Sequence, residues 1–129
     1  MNLEITSVYV VPLAVLMIVL WMSVTKTRAA MGVSIGNNGD TVLHEKIRRH
    51  GNFIEWVSVV ILMMMIAEIR GANGTALHVA GILLVIGRAV HPFGLRHDNP
   101  NHVLRIIGNT GSLLALVIAT GANVWTQFY

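Results

Sequence analysis

The chain contains no cysteine, and only 12% of its 129 residues are charged. Without cysteine it has no disulfide, no thiolate metal site and no cysteine nucleophile of its own. Hydrophobic residues make up 54% of the sequence, and long uncharged runs dominate it, so its interior cannot be an ordinary soluble core. The composition indicates an integral membrane protein.

Three uncharged segments are long enough, or nearly so, to cross a bilayer as helices, which takes roughly 20 residues. These are residues 5–25, 71–87 and 106–129. A fourth apolar run, residues 56–67, has only 12 residues and cannot cross by itself. Its span must therefore begin earlier and carry charged residues into the membrane. The sequence predicts one all-α domain over residues 1–129, a bundle of four transmembrane helices at roughly 5–27, 43–69, 74–93 and 100–127.

The second predicted helix carries a polar stripe at its entry to the membrane. Arg48, Asn52 and Glu55 stand at positions i, i+4 and i+7, which places them on one face of the helix. Ionisable groups at membrane depth are costly unless they are paired or hydrated. The stripe is therefore a candidate functional site.

The connections carry turn chemistry. Asp40 or Thr41 is suited to cap helix two, and Asn99 followed by Pro100 predicts the start of helix four. Pro92 removes a backbone donor, so helix three is predicted to kink or end close to it.

The distribution of cations predicts the orientation. All but one of the nine Lys and Arg residues flank the first and third connections: Lys26, Arg28, Lys46, Arg48, Arg49, Arg88, Arg96 and Arg105. Only Arg70 lies by the second connection. Positive residues favour the cytoplasmic side, so both termini are predicted to face away from the cytoplasm. The net charge of +3 is explained by this one-sided distribution of cations. It is no further evidence for a nucleic-acid partner.

Further polar residues are predicted to join the stripe at the cytoplasmic end. They are Arg28 on helix one, Arg88 and His91 on helix three, and Arg105 on helix four. Arginines bind carboxylates in bidentate fashion, so such a layer suits an anionic ligand. The alternative is that the arginines only anchor the helices at the membrane surface and that the ion pairs hold the helices together.

The stripe resembles the helix-two signature of the membrane-associated proteins in eicosanoid and glutathione metabolism, the MAPEG family. That signature is Arg, three residues, Asn, two residues, Glu, and it matches Arg48, Asn52 and Glu55. A second element of the family, Arg followed three residues later by His or Tyr, matches Arg88 and His91. The resemblance covers the whole chain in topology.

A third element of the family is an Arg near the start of helix four that activates the glutathione thiol, and it matches Arg105. Arg28 corresponds loosely to a basic residue at the end of helix one. Several eukaryotic members carry a Tyr where this chain has Leu95. That departure, together with the short length, makes the chain look like a bacterial member of the inner membrane.

The resemblance implies a homotrimer that binds glutathione as co-substrate between subunits, through Arg28, Arg48, Asn52, Glu55, Arg88 and His91. With Arg105 as the catalytic residue, it implies a transferase or peroxidase acting on apolar electrophiles or hydroperoxides from the bilayer. No metal is expected, because Arg48 stands where the second ligand of a His-Glu-x-x-His zinc motif would lie. The other interpretations are a small multidrug or ion transporter, whose key carboxylate is missing from the middle of helix one, and a non-catalytic membrane scaffold.

Overall fold

The computed structural model describes residues 3–128, which form four α-helices. They are α1 (Glu4–Met31), α2 (Thr41–Ile69), α3 (Gly74–Gly94) and α4 (Val103–Phe128). All four are long and apolar enough to cross a membrane. The prediction of an all-α protein with four candidate membrane spans is confirmed. We call the end that carries loops 32–40 and 95–102 the loop end. The opposite end, with the start of α1, the end of α4 and the turn 70–73, is called the terminal end.

The start of α4 differs from the predicted position at Pro100. Residues 99–102 form a separate turn, in which the backbone N–H of His102 donates to the carbonyl of Asn99 at 3.4 Å. The helix begins at Val103, and the Leu104 N–H donates to His102 Nδ1 at 3.2 Å. The side chain of His102 thus satisfies a free donor of the first turn, a task that the sequence had suggested for Asn99.

The ends of α2 and α3 follow the turn chemistry more closely. Asp40 is the N-cap of α2, with its Oδ1 accepting from the N–H of Leu43 at 2.6 Å. Pro92 lies inside α3, which ends at Gly94, and the N–H of Leu95 donates to the His91 carbonyl at 3.1 Å. The proline therefore sits in the last turn, where only one helical hydrogen bond is lost.

Helices α3 and α4 pack together through glycines on both sides. A Cβ placed on Gly87 would lie 2.9 Å from the Gly108 carbonyl, and one on Gly94 would collide with the Arg105 backbone. Small residues allow two membrane helices to approach closely, which strengthens their van der Waals contact. This pairing sets the position of α3 against the start of α4.

The terminal end of α1 is held by polar contacts that the sequence did not indicate. The carboxylate of Glu68 accepts from the N–H groups of Ile5 and Thr6 at 2.7 and 2.8 Å. Tyr9 packs onto Gly81 and its hydroxyl lies 2.7 Å from His78 Nδ1. These contacts join α1 to α2 and α3 at the terminal end.

The orientation stays a prediction, and a reporter fusion tests it. A fusion after Tyr129, which lies outside the described residues, is expected to report a position outside the cytoplasm, because the cations concentrate at the loop end. A fusion in the loop at Asn38 should report the cytoplasm. A cytoplasmic C-terminus would reverse the assignment of both ends.

Candidate functional site

The stripe on α2 lies on the outer surface of the chain. Glu55 is fourteen residues from each end of the 29-residue helix α2, so it stands at mid-helix. The Nη1 of Arg48 approaches the Oε1 of Glu55 at 3.5 Å, and their side chains are 49% and 57% exposed. Glu55 is therefore exposed on the surface of the single chain, at the start of the apolar part of α2.

Arg88 lies behind the stripe and is buried, with 1% of its surface exposed. Its Nη1 donates to Asn52 Oδ1 and its Nη2 donates to the Gly108 carbonyl, both at 2.7 Å. Its guanidinium carbon lies 5.9 Å from the centre of the Trp56 ring. Asn52, Trp56 and Gly108 therefore stabilise the cation with an amide oxygen, an aromatic face and a backbone carbonyl, all of them uncharged.

His91 lies one turn along α3 from Arg88 and is 2% exposed. The Cβ atom of His91 packs against Gly108. A Cβ added to this glycine would lie 2.6 Å from the His91 Cβ. Within the described residues, His91 Nε2 and Arg88 Nε are buried without a hydrogen-bond partner. Buried polar atoms in native proteins are nearly always satisfied, so Arg88 Nε marks a position where an additional polar group would be favourable. His91 lies beside the side chain of Asn109, which can accept a hydrogen bond from its ring.

Arg105 is the third residue of α4 and is half-buried. Its Nη1 donates to the Pro100 carbonyl at 3.1 Å, which keeps the guanidinium beside the first turn of α4. The positive end of the helix dipole and the arginine charge act at the same place. The backbone of Arg105 also contacts Gly94, which brings it to the same end of α3 as His91.

The predicted site residues therefore have different partners in the structure. The structure joins Asn52 directly to Arg88, and it pairs Arg48 with Glu55. Arg28 instead holds its own loop, where its Nη1 donates to the carbonyls of Ser34 and Gly36 at 3.2 and 2.8 Å. Its role in ligand binding stays a prediction.

Two members of the site were not foreseen. Trp56 is four residues beyond Asn52, so helical spacing alone could have placed its ring on the same face. The carbonyl of Gly108 carries no comparable signal, because a backbone acceptor becomes available only where α3 and α4 approach each other.

A second polar network at the loop end was also missed. Arg49 donates to the Glu45 carboxylate at 2.9 Å and to the Leu95 carbonyl at 3.1 Å. The other Glu45 oxygen accepts the backbone N–H of His97 at 2.9 Å and contacts its ring. The i, i+4 spacing of Glu45 and Arg49 could have indicated their pairing. The attachment of loop 95–102 to α2 required the tertiary fold.

Comparisons with a family profile and with related proteins each match almost the whole chain. The sequence profile described as the MAPEG family matches residues 6–125. The chain is similar to the inner membrane protein YecN of Escherichia coli K12, with 31% identity over 121 residues, or 94% of this chain and 91% of the relative. YecN of Escherichia coli strain CFT073 matches with the same identity and coverage. No solved structure matches the chain significantly.

Proposed function

Because the chain belongs to the MAPEG family, we propose that it is a glutathione-binding enzyme of the inner membrane. It would activate the glutathione thiol towards apolar electrophiles or hydroperoxides that arrive through the bilayer. The observation that carries this proposal is the exposed stripe of Arg48, Asn52 and Glu55 in front of the buried cation of Arg88.

The exposure of this stripe supports an assembly. Ionisable side chains within membrane spans normally face a bundle interior or a water-filled cavity, because lipid cannot solvate them. On the single chain, Arg48 and Glu55 face outwards. Packing of this face of α2 against further copies, in the homotrimer typical of the family, would enclose the stripe and create a polar cleft between subunits. Each cleft would then be reached from the loop end.

The groups in the cleft match the chemistry of glutathione. The tripeptide has two carboxylates, one ammonium group and a thiol. Arg48 can bind a carboxylate in bidentate fashion, and Glu55 can accept the ammonium group. Arg88 Nε lacks a partner within the described residues and would be satisfied by a polar ligand atom or by water. Asn52 is held by Arg88 through its oxygen, which leaves its NH₂ group to donate.

Arg105 would then act on the thiol. A thiol with a reference pKa of about 8.5 is mostly protonated at neutral pH, whereas the thiolate is the nucleophile. A permanent cation beside a helix N-terminus stabilises the thiolate and releases the proton to water. The sulfur can then form a bond to an electrophilic carbon as its leaving group departs. It can alternatively attack a hydroperoxide oxygen, so that the O–O bond breaks and the departing oxygen takes up a proton to leave as an alcohol. The resulting glutathione sulfenic acid then reacts with a second glutathione to give glutathione disulfide and water.

A non-catalytic scaffold is the second candidate, and one observation favours it. The hydrogen bonds of Arg88 to Asn52 and Gly108 join α3 to α2 and α4, so they would stabilise helix packing without any ligand. A scaffold requires those contacts, but it does not require the exposed carboxylate of Glu55. Glu55 therefore distinguishes the two functions.

Glu55→Gln is expected to weaken glutathione binding by about 1.5–3 kcal/mol, because a hydrogen bond to a charged group is lost. Isothermal titration calorimetry on the detergent-purified protein measures this. Ser58→Ala is the matched control, since Ser58 lies one turn further along α2 and donates to its own helix at Ile54. It should leave the affinity unchanged. Folded wild-type protein that takes up no glutathione would favour the scaffold. A Glu55→Gln variant with wild-type affinity would show that the assignment of Glu55 to the glutathione site is wrong.

A further inference from the structure

A second cavity lies at the loop end, on the side of α2 that faces α1 and the end of α3. Its volume is about 480 Å³. The closest described contacts between α1 and α3 involve Ile5 and Tyr9, both at the terminal end. Towards the loop end the two helices leave an open groove, with the start of α2 as its floor. We call it the α1–α3 groove.

One wall of the α1–α3 groove is apolar. It is formed by Val19 and Leu20 of α1, Val42 of α2, and Pro92 and Phe93 of α3. Val19 and Phe93 are 57% and 71% exposed, so this wall opens to the surroundings of the chain. In a bilayer, hydrocarbon chains would cover it at little cost, since lipid is as apolar as these side chains.

The other wall is polar and carries an excess of cations. Its charged groups are Lys46, Arg49, Arg96, Glu45 and Asp98, which are three cations and two carboxylates. Glu45 is already bound to Arg49 and to His97, so its charge is neutralised within the network.

Two cations of this wall keep donors for a ligand. Lys46 donates to Thr27 Oγ1 at 2.6 Å, which fixes the ammonium between α1 and α2 and leaves two of its three N–H groups. Arg96 Nε lies 3.5 Å from Asp98, and its side chain is half-exposed. The groove therefore presents a fixed ammonium and an adaptable guanidinium above an apolar slot.

From this arrangement we propose that the α1–α3 groove binds the headgroup of an anionic phospholipid in the leaflet at the loop end. Basic pockets between membrane helices on the cytoplasmic side are suited to anionic headgroups, and a guanidinium binds phosphate oxygens in bidentate fashion. The phosphate would lie between Lys46 and Arg96, and the acyl chains would run along Val19 and Phe93 into the bilayer. A volume of about 480 Å³ is in the range of small-molecule sites.

This site is separate from the proposed glutathione cleft. The lining of the groove contains none of Arg48, Asn52 and Glu55. Arg48 lies close to the edge of the groove, because it lines an adjoining pocket together with Arg96 and His97. Lipid binding can therefore be tested without glutathione, and failure of either proposal leaves the other intact.

The test is displacement of a fluorescent phosphatidylglycerol from delipidated full-length protein in detergent. Unlabelled phosphatidylglycerol is expected to displace it, and phosphatidylcholine is not. Lys46→Gln and Arg96→Gln should each weaken binding about fivefold, which corresponds to about 1 kcal/mol for one cation at an anionic headgroup. Lys26→Gln is the matched control, because it removes an exposed loop-end cation outside the groove, and should change affinity less than twofold.

A steric variant tests the slot without changing any charge. Val19→Trp should fill the α1–α3 groove and reduce lipid affinity more than tenfold, while gel filtration and circular dichroism confirm the fold. Equal displacement by phosphatidylcholine, by oleate or by inorganic phosphate would overturn the proposal, as would equal effects of Lys26→Gln and Lys46→Gln. A groove that takes up no lipid, combined with a change of oligomer size in Val19→Trp, would identify it as a subunit contact instead.

Discussion

Arg105→Ala is expected to lower turnover with a model electrophile at pH 7 about 25-fold or more while most of the glutathione affinity remains. A depression of the thiol pKa by two units corresponds to about 2.7 kcal/mol, at 1.36 kcal/mol per unit. A cation at the first turn of α4 can supply that amount. Without it, the thiol returns to its reference pKa of about 8.5, and the thiolate fraction at pH 7 falls from about three quarters to about 3%, which is roughly 25-fold. Affinity depends mainly on the carboxylates and the ammonium, which other residues would bind.

Three measurements separate activation from binding in this variant. The ultraviolet absorbance of bound thiolate at neutral pH should disappear, and raising the pH should restore part of the activity. Arg105→Lys should keep some activity because a cation remains, although its point charge is placed differently from a planar guanidinium. The guanidinium of Arg105 contacts only its own turn at Pro100 in the described hydrogen bonds, so the variant should fold. A bound thiol whose pKa is the same with and without Arg105 would exclude the catalytic role.

Gly108→Ala is expected to lower the free energy of unfolding by about 1–3 kcal/mol or more through overpacking. The new Cβ would lie 2.6 Å from His91 Cβ and 2.7 Å from the Gly87 carbonyl. Neither neighbour is the far end of a flexible side chain, so α3 and α4 must separate. Their separation would lengthen the hydrogen bond from Arg88 to the Gly108 carbonyl and so disturb the site as well.

Gly121→Ala on the same helix is the matched control. A Cβ at Gly121 meets no described atom within 4 Å, so the variant should be as stable as the wild type or slightly more stable. Thermal unfolding in detergent, followed by circular dichroism, compares the two. Similar melting temperatures for Gly108→Ala and Gly121→Ala would show that the α3–α4 contact is looser than the structure has it.

Much of the architecture could be predicted from local features of the sequence. The number of spans follows from the lengths of uncharged runs, because a bilayer of fixed thickness requires helices of a minimum length. The stripe on α2 follows from helical periodicity, which places Arg48, Asn52 and Glu55 on one face whatever surrounds the helix. Membership of the MAPEG family was predicted from these residues together with Arg88, His91 and Arg105, and it is confirmed. Glutathione binding, the trimer and the catalytic role of Arg105 stay predictions.

The sequence did not predict several contacts in which a backbone N–H or carbonyl group is one of the partners. His102 took the place of Asn99 at the start of α4, because the Asn99 carbonyl and side chain are used within the preceding turn. The attachment of Glu45 to His97 joins residues 52 positions apart, which no local pattern can reveal.

By itself, the sequence determined that this is a membrane bundle of four helices with an acid, an amide and a base on one face of α2. Only the tertiary structure decided that Arg88 of α3 is buried behind this face and which groups hold it there. Arg88 is enclosed by Asn52, Trp56 and the Gly108 carbonyl because two glycine-lined helices approach closely beside it. Periodicity gives the face on which a side chain lies, whereas desolvation and hydrogen bonding depend on the neighbour that packs against that face.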